Sequence, residues 1–207
     1  MKRAVLFVGL LGMMFLPFLA RAAEVDTLNL QDKQVDALFT SRDSSGCIQT
    51  DVFVLASTTR RKDSGSPPMT EPLIYVQYAV NDICNAVLLH SGFGTNNMLN
   101  LSLNGALTRA HADSVVLVGV DETGGSFYMQ VSVDWTGVGD TTTGRFDQHL
   151  ITPAFSVELF SAKSTFRQAT ASATVPDGIT NFTPPGSTVV FADLQITKSE
   201  TVTVQRN

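Results

Sequence analysis

The sequence predicts an all-β protein, an antiparallel β-sandwich of about twelve short strands. Apolar and polar residues alternate with a period of two in many short stretches, and Gly, Pro, Asn and Ser clusters separate these stretches. Almost no segment has the spacing of an amphipathic helix, and the connections are too short and polar to hold crossover helices. A single sandwich is the main prediction, and two small sandwiches in tandem are the alternative. An outer-membrane barrel is disfavoured by the uneven strand lengths and the lack of clear aromatic girdles.

The first 22 residues have the pattern of a signal peptide. Charged residues at positions 2 and 3 precede an apolar run over residues 4–19, and residues 20–22 offer a small-x-small cleavage site. Residues 23–207 are then expected to form the mature β domain. No later segment is apolar for long enough to span a bilayer. We therefore expect a secreted or periplasmic protein without a transmembrane segment.

The charge balance argues against nucleic acid as a partner. The chain has 19 Asp+Glu against 14 Lys+Arg and a formal net charge of −5, and a protein without a basic surface attracts polyanions poorly. The one basic run, residues 60–62, lies within residues 57–68, which have the composition of a loop. We expect this run to be a solvated loop tip.

The two cysteines predict one disulfide. Cys47 begins an alternating run that ends at residue 56, and Cys84 follows a second β-rich run over residues 73–80. If the two runs pair as antiparallel strands, the start of the first lies beside the end of the second, and the cysteines meet. A metal or redox site would need more ligands or a Cys-x-x-Cys spacing.

The remaining strands follow from the same alternation. Residues 127–135 form the clearest strand, with Phe127 and Trp135 on an apolar face. The turn before it, near residues 122–126, is a domain boundary if there are two domains. The other predicted strands are residues 25–30, 35–40, 86–90, 98–104, 106–120, 145–151, 155–160, 166–175, 188–197 and 200–205.

His111 and Asp113 are the first candidate binding residues. They occupy alternate positions of a strand, so both side chains lie on one face. That spacing suits two metal ligands, or a carboxylate that orients an imidazole. Because a third ligand is missing, the preferred interpretation is an exposed polar stripe that includes Arg109 and could bind a ligand.

The segment from Asp134 to Asp140 is the second candidate. Two carboxylates, backbone carbonyls and glycine-permitted turns are what a calcium loop needs, but the dense Asp/Asn alternation of calcium motifs is absent. An ordinary turn is the preferred interpretation. We expect no cofactor, with Ca²⁺ as the weaker alternative.

Tyr75 and Tyr128 are the third candidate, because their predicted strand registers place both rings outward. Exposed aromatic rings can stack on sugars. Trp135 shares its face with apolar residues and is expected to belong to the core.

These patterns predict a function without catalysis. No nucleophile elbow, His-Glu-x-x-His, phosphate-binding loop or dinucleotide fingerprint occurs in the sequence. We expect an exported protein for recognition or structure, which binds a surface, a polysaccharide or a protein partner. The alternative is a secreted hydrolase that acts on glycans through carboxylates such as Asp113, Asp134 and Asp140.

Overall fold

The computed structural model describes residues 24–120, 126–151, 156–174 and 188–205. The predicted signal peptide and residues 122–125 of the predicted boundary lie outside these ranges. The described part of the chain contains β-strands and no helix, and every strand pairing is antiparallel. The predicted all-β antiparallel class is therefore confirmed. The strands are β1 (Glu24–Arg42), β2 (Ile48–Asp63), β3 (Met69–Asp82), β4 (Val87–Asn96), β5 (Asn100–Leu103), β6 (Arg109–Val120), β7 (Ser126–Gly137), β8 (Thr142–Ile151), β9 (Ser156–Thr174) and β10 (Thr188–Gln205).

Most of the ten described strands are longer than the strands that the sequence predicts; β5 and β6 are shorter. β1, β9 and β10 each join two predicted pieces into one strand of 18 or 19 residues. The alternation fades at the joins because polar residues such as Gln31 and Lys33 replace apolar ones there, while the backbone pairing continues on both sides. The loop-tip interpretation of residues 60–62 is wrong for the same reason, since β2 runs through them in pairing with β1.

The strands form one sheet that closes on itself. Its order is β10-β1-β2-β3-β4-β6-β7-β9-β8, with β5 attached to β6. β9 pairs with β10 along residues 156–168 and with β7 along residues 169–174. The second pairing of β9 completes a ring of eight strands, and β8 extends β9 outside that ring. Opposite sides of the ring therefore face each other like the layers of a sandwich.

The core lies on the inner face of the ring. Trp135 of β7 is 1% exposed, as the sequence predicted, and its indole Nε1 donates a hydrogen bond to the carbonyl of Asp36 on β1 at 2.8 Å. β1 and β7 are not paired, so this bond joins two opposite sides of the sheet. In addition to Trp135, the largest fully buried side chains are Ile74, Leu107, Met129, Leu194, Val35, Val76, Val116, Val118 and Val133.

A short seam between β4 and β6 relies on glycine. The two strands share only three register pairs, from Gly92 to Gly94 on β4. A Cβ at Gly94 would collide with the carbonyl oxygen of Leu117, and one at Gly92 would lie 2.5 Å from the carbonyl oxygen of Gly119. The missing side chains thus allow the close approach of two backbones at this position.

The predicted disulfide between Cys47 and Cys84 is confirmed, with a Cα–Cα distance of 5.2 Å. Antiparallel pairing of β2 with β3 places Ile48 opposite Asp82, which brings the two cysteines to the same end of the hairpin. The bond is consistent with the predicted export. None of the described residues belongs to a helix with the length and hydropathy needed to cross a bilayer.

Candidate acid–base site

A polar patch covers the outer face of β5, β6 and β7. On β6, Ala110 and Ala112 are buried in the core, so the alternate residues Arg109, His111 and Asp113 are directed outward. The predicted polar stripe is therefore present. The structure adds the neighbouring strands, which the sequence alone did not place beside it.

Pairing of β6 with β7 brings a second carboxylate to His111. His111 lies opposite Asp134, and Asp113 lies opposite Ser132. On the other side of β6, Ser102 of β5 also lies opposite His111. Polar side chains from three strands therefore surround His111 on the solvent-facing side of the sheet.

His111 is hydrogen-bonded at both ring nitrogens. Its Nε2 lies 2.5 Å from Oδ2 of Asp113, and its Nδ1 lies 2.8 Å from Oδ1 of Asp134. Ionised carboxylates only accept hydrogen bonds, so this geometry favours the imidazolium form of the ring, in which both nitrogens carry a proton. The hydrogen bond to Asp113 raises the pKa of His111; burial opposes this effect, and the bond to Asp134 adds to it.

Asp113 is the more firmly held of the two carboxylates. The hydrogen bond from Ser132 is the largest cause that lowers the pKa of Asp113; burial opposes it, and the bond and the charge of His111 lower the pKa further. The Asp113 side chain is 44% exposed, and the Asp134 side chain is 60% exposed. Asp113 is therefore suited to orient the imidazole, while Asp134 is the partner that a ligand can displace.

An open depression of about 600 Å³ adjoins His111 and Asp134. Arg109 lines it, and within the described part of the chain the Arg109 guanidinium forms no ion pair. The remaining lining residues are Ser102, Leu103, Asn104, Ala110, Trp135 and Thr136. A cation, a proton donor and a displaceable carboxylate thus share one concave surface.

The predicted tyrosines are directed outward but lie apart from this depression. Tyr75 stacks on Phe93 with ring centroids 6.4 Å apart, and its hydroxyl donates to Oε1 of Gln77 at 3.0 Å. Tyr128 is 68% exposed and lies opposite Leu117, which is six residues along β6 from His111, or roughly 20 Å at the usual rise of a strand. Ligand binding by the two tyrosines stays a prediction.

The structure does not bring Asp134 and Asp140 into a metal-binding group. Asp134 is bonded to His111, and in the described ranges no group of three or more His, Cys, Asp or Glu residues could hold a metal ion. Residues 134–137 belong to β7, so the predicted turn covers only the end of this segment, and calcium binding there stays a prediction.

Sequence reasoning missed Asp134 and Ser132 as partners of the His111–Asp113 pair. The available signal was the turn predicted before residue 127, since a hairpin around it places β6 and β7 side by side. Alternation within one strand reveals which residues share a face, whereas partners from another strand require the register.

No family model and no curated protein sequence matches this chain. Among solved structures, the enduracididine biosynthesis enzyme MppR complexed with pyruvate is similar at 8% identity and a TM-score of 0.35, over 87% of this chain and 89% of MppR. An acetoacetate decarboxylase-like enzyme from Sphingomonas wittichii RW1 is similar at 7% identity and a TM-score of 0.31, over 87% of this chain and 92% of the other.

These neighbours contradict the predicted function without catalysis, because they are enzymes, and that prediction is withdrawn. Similarity at such TM-scores assigns no reaction, substrate or site to this chain. The glycan hydrolase alternative is also dropped, because Asp113 and Asp134 bond the same imidazole instead of facing each other across a free gap. Any assignment of chemistry must come from the residues of the site.

Proposed function

We propose that this protein is an exported enzyme that moves a proton on a small carboxylate substrate at His111. One observation carries the proposal: an imidazole ring bonded to two carboxylates lies in an open depression beside Arg109, which forms no ion pair with any described residue. A positioned imidazole is the commonest general acid in enzymes. The raised pKa of His111, caused first by its hydrogen bond to Asp113, favours the protonated form that a general acid needs.

Arg109 provides the binding charge in this proposal. Arg109 and His111 are alternate residues on one face of β6, so their Cα atoms lie about 6–7 Å apart. A guanidinium binds a carboxylate through two parallel hydrogen bonds. A substrate whose carboxylate is bound by Arg109 would therefore place next to His111 a carbonyl group that is only a few bonds from that carboxylate. This distance favours a short oxo acid.

The positions of Asp113 and Asp134 on the two sides of the His111 ring support one path for the proton. A substrate carbonyl oxygen takes the place of Asp134 at Nδ1 of His111, while Asp113 keeps Nε2 and holds the ring. His111 then gives its Nδ1 proton to the carbonyl oxygen, and the freed Asp134 carboxylate takes a proton from the adjacent carbon. The product is an enol, and the reverse transfers restore both residues. Each step is general acid–base catalysis by groups within reach of one substrate.

Deuterium exchange tests the proposal. The purified protein is incubated in D₂O with a panel of 2-oxo and 3-oxo carboxylates, and proton NMR follows the loss of the signal beside the carbonyl. We expect exchange faster than the uncatalysed rate, with a loss of about a hundredfold or more in His111→Gln, the usual size of an acid–base contribution. His149→Gln is the matched control, because His149 lies on β8 and is exposed to solvent.

Two results would contradict the proposal. One is the absence of accelerated exchange for every member of the panel. The other is exchange that survives in His111→Gln and Arg109→Gln at the wild-type rate.

A further inference from the structure

We propose that a second site, on the inner face of the ring, binds a small ligand that carries several phosphate groups. The site is the basic groove, defined by Arg60, Lys62, Lys163 and Lys198. It goes beyond the acid–base function, since no residue that lines the basic groove also lines the depression at His111.

The basic groove arises from the register of five strands. Directly opposed residues of antiparallel strands have their side chains on the same face. Pairing of β2, β1, β10, β9 and β8 produces one transverse row, which consists of Arg60, Gln31, Lys198, Lys163 and Arg145. Four of these five side chains are cationic.

The row lies on the face that carries the core. Gln31, Lys33 and Val35 alternate on one face of β1, and Val35 is a core residue that is 1% exposed. The apolar core therefore ends near Lys33, and the cations line the same face beyond that end. Because the sheet is curled around this face, the cations surround a concavity instead of covering a convex surface.

Like charges crowd in this row. Lys198 and Lys163 are directly opposed, and adjacent strands are about 4.8 Å apart, so the two ammonium groups destabilise each other when no anion lies between them. Counting Lys62 and Lys33 on the adjacent rows, six of the 14 Lys+Arg of this acidic chain lie on one face of five strands. Six such cations from five separate strands indicate a binding role that local sequence did not show.

Few acids neutralise this charge. Of the carboxylates on the next row, Asp147 is bonded to Arg145 at 2.8 Å, and Glu200 lies at the edge of the groove. Lys33 is used within the protein, since its Nζ donates to the carbonyl of Leu103 at 3.3 Å. Within the described residues, Lys163, Lys198, Arg60 and Lys62 form no ion pair. They are exposed to solvent and available to an anion.

The size of the groove favours a small ligand with several charges. It has about 490 Å³ of open space, and an adjoining recess of about 260 Å³ shares Gln31, Lys163 and Lys198 with it. From β2 to β9 the row crosses three strand spacings, or about 14 Å. One isolated anion cannot reach both ends, whereas a chain of phosphates can. Lysine binds phosphate as a point charge, and Gln31 and Ser161 add uncharged donors.

Calorimetric titration with inorganic tripolyphosphate tests the site. The full protein is titrated at 0.15 M NaCl without divalent cations, where charges more than about 8 Å apart are largely screened. We expect saturable binding, and a loss of about tenfold in affinity for each lysine removed, down to about a hundredfold in Lys163→Gln/Lys198→Gln. Arg42→Gln/Arg61→Gln is the matched control, because it removes the same charge from exposed positions outside the groove.

Thermal unfolding supplies an independent measurement. Lys198→Gln should raise the Tm of the free protein at low salt, because it removes a like-charge contact, and tripolyphosphate should raise the Tm of wild type but not of the double variant. The proposal is overturned if tripolyphosphate does not bind, if the control variant loses as much affinity as the groove variant, or if citrate binds as tightly as tripolyphosphate. None of these results depends on activity at His111, so this site and the acid–base function can fail separately.

Discussion

Removal of the disulfide is the perturbation whose magnitude follows most directly from the structure. Cys47 and Cys84 are 37 residues apart and close a loop that contains the whole of β2 and β3. In the chain-entropy model, closing a loop of this length lowers the entropy of the unfolded chain enough to stabilise the fold by about 4 kcal/mol. The stabilisation acts through the unfolded state, so the folded hairpin should keep its pairing after reduction.

The assay is guanidinium unfolding followed by tryptophan fluorescence. Trp135 is the single tryptophan and is buried at the contact between β7 and β1, so its emission reports on the closed sheet. Wild type is compared with Cys47→Ala/Cys84→Ala, and each is measured with and without reductant. Reductant should destabilise wild type by about 4 kcal/mol and leave the double variant unchanged. A change below about 1 kcal/mol in verified reduced protein would refute the loop-closure argument.

Three further predictions concern the seam, a pair of acids and the histidine. Gly94→Ala should destabilise the protein by about 1–3 kcal/mol, because the added Cβ would meet the carbonyl oxygen of Leu117. Gly119→Ala is the control at the same seam: its Cβ would lie 3.9 Å from the nearest atom, so the unfolding free energy should change by less than about 0.5 kcal/mol. Equal effects of the two substitutions in denaturant titrations would contradict this prediction. Burial, and after it the charge of Asp193, raises the pKa of Asp36. The contribution of Asp36 to stability is therefore complete below its unfolded pKa near 3.8 and is lost as the pH rises through its folded pKa. Asp36→Asn should therefore raise the Tm at pH 7 more than at pH 3; a uniform shift would be the contrary result. The raised pKa of His111 gives a contribution that is complete below about pH 6.5 and is lost as pH rises through the folded pKa. His111→Gln should remove that part of the Tm–pH curve, and an unchanged curve would contradict the ion pairs.

Local pattern was sufficient for the fold class and for the disulfide. Period-two alternation in residues 47–56 and 127–135 predicts strands with one buried face, and the buried Trp135 agrees with it. The Cys47–Cys84 bond followed because its two strands are neighbours in sequence and form a hairpin. Hairpins between consecutive strands are the part of a sheet that sequence order can predict.

Long-range pairing was beyond local pattern. β1 pairs with β10 across nearly the whole chain, and no composition signal reports which distant strands meet. The basic groove depends on these pairings, since Lys163 and Lys198 come from separate strands and Arg60 from a third. The acid–base site was half predictable: His111 and Asp113 share a strand face, but Asp134 needed the register of β6 with β7.

Nitrogen-15 NMR of the His111 ring measures the protonation state on which the proposed acid–base chemistry depends. Long-range correlations between the ring protons and both nitrogens report which nitrogens are protonated, and a pH titration reports the pKa. We predict a pKa above the ordinary 6.5 and, at pH 6.5 and below, an imidazolium with both nitrogens protonated. That pKa should fall in Asp113→Asn, because the Asp113 hydrogen bond is its largest cause. A neutral ring with a single tautomer at pH 6.5 or below would contradict the acid–base site.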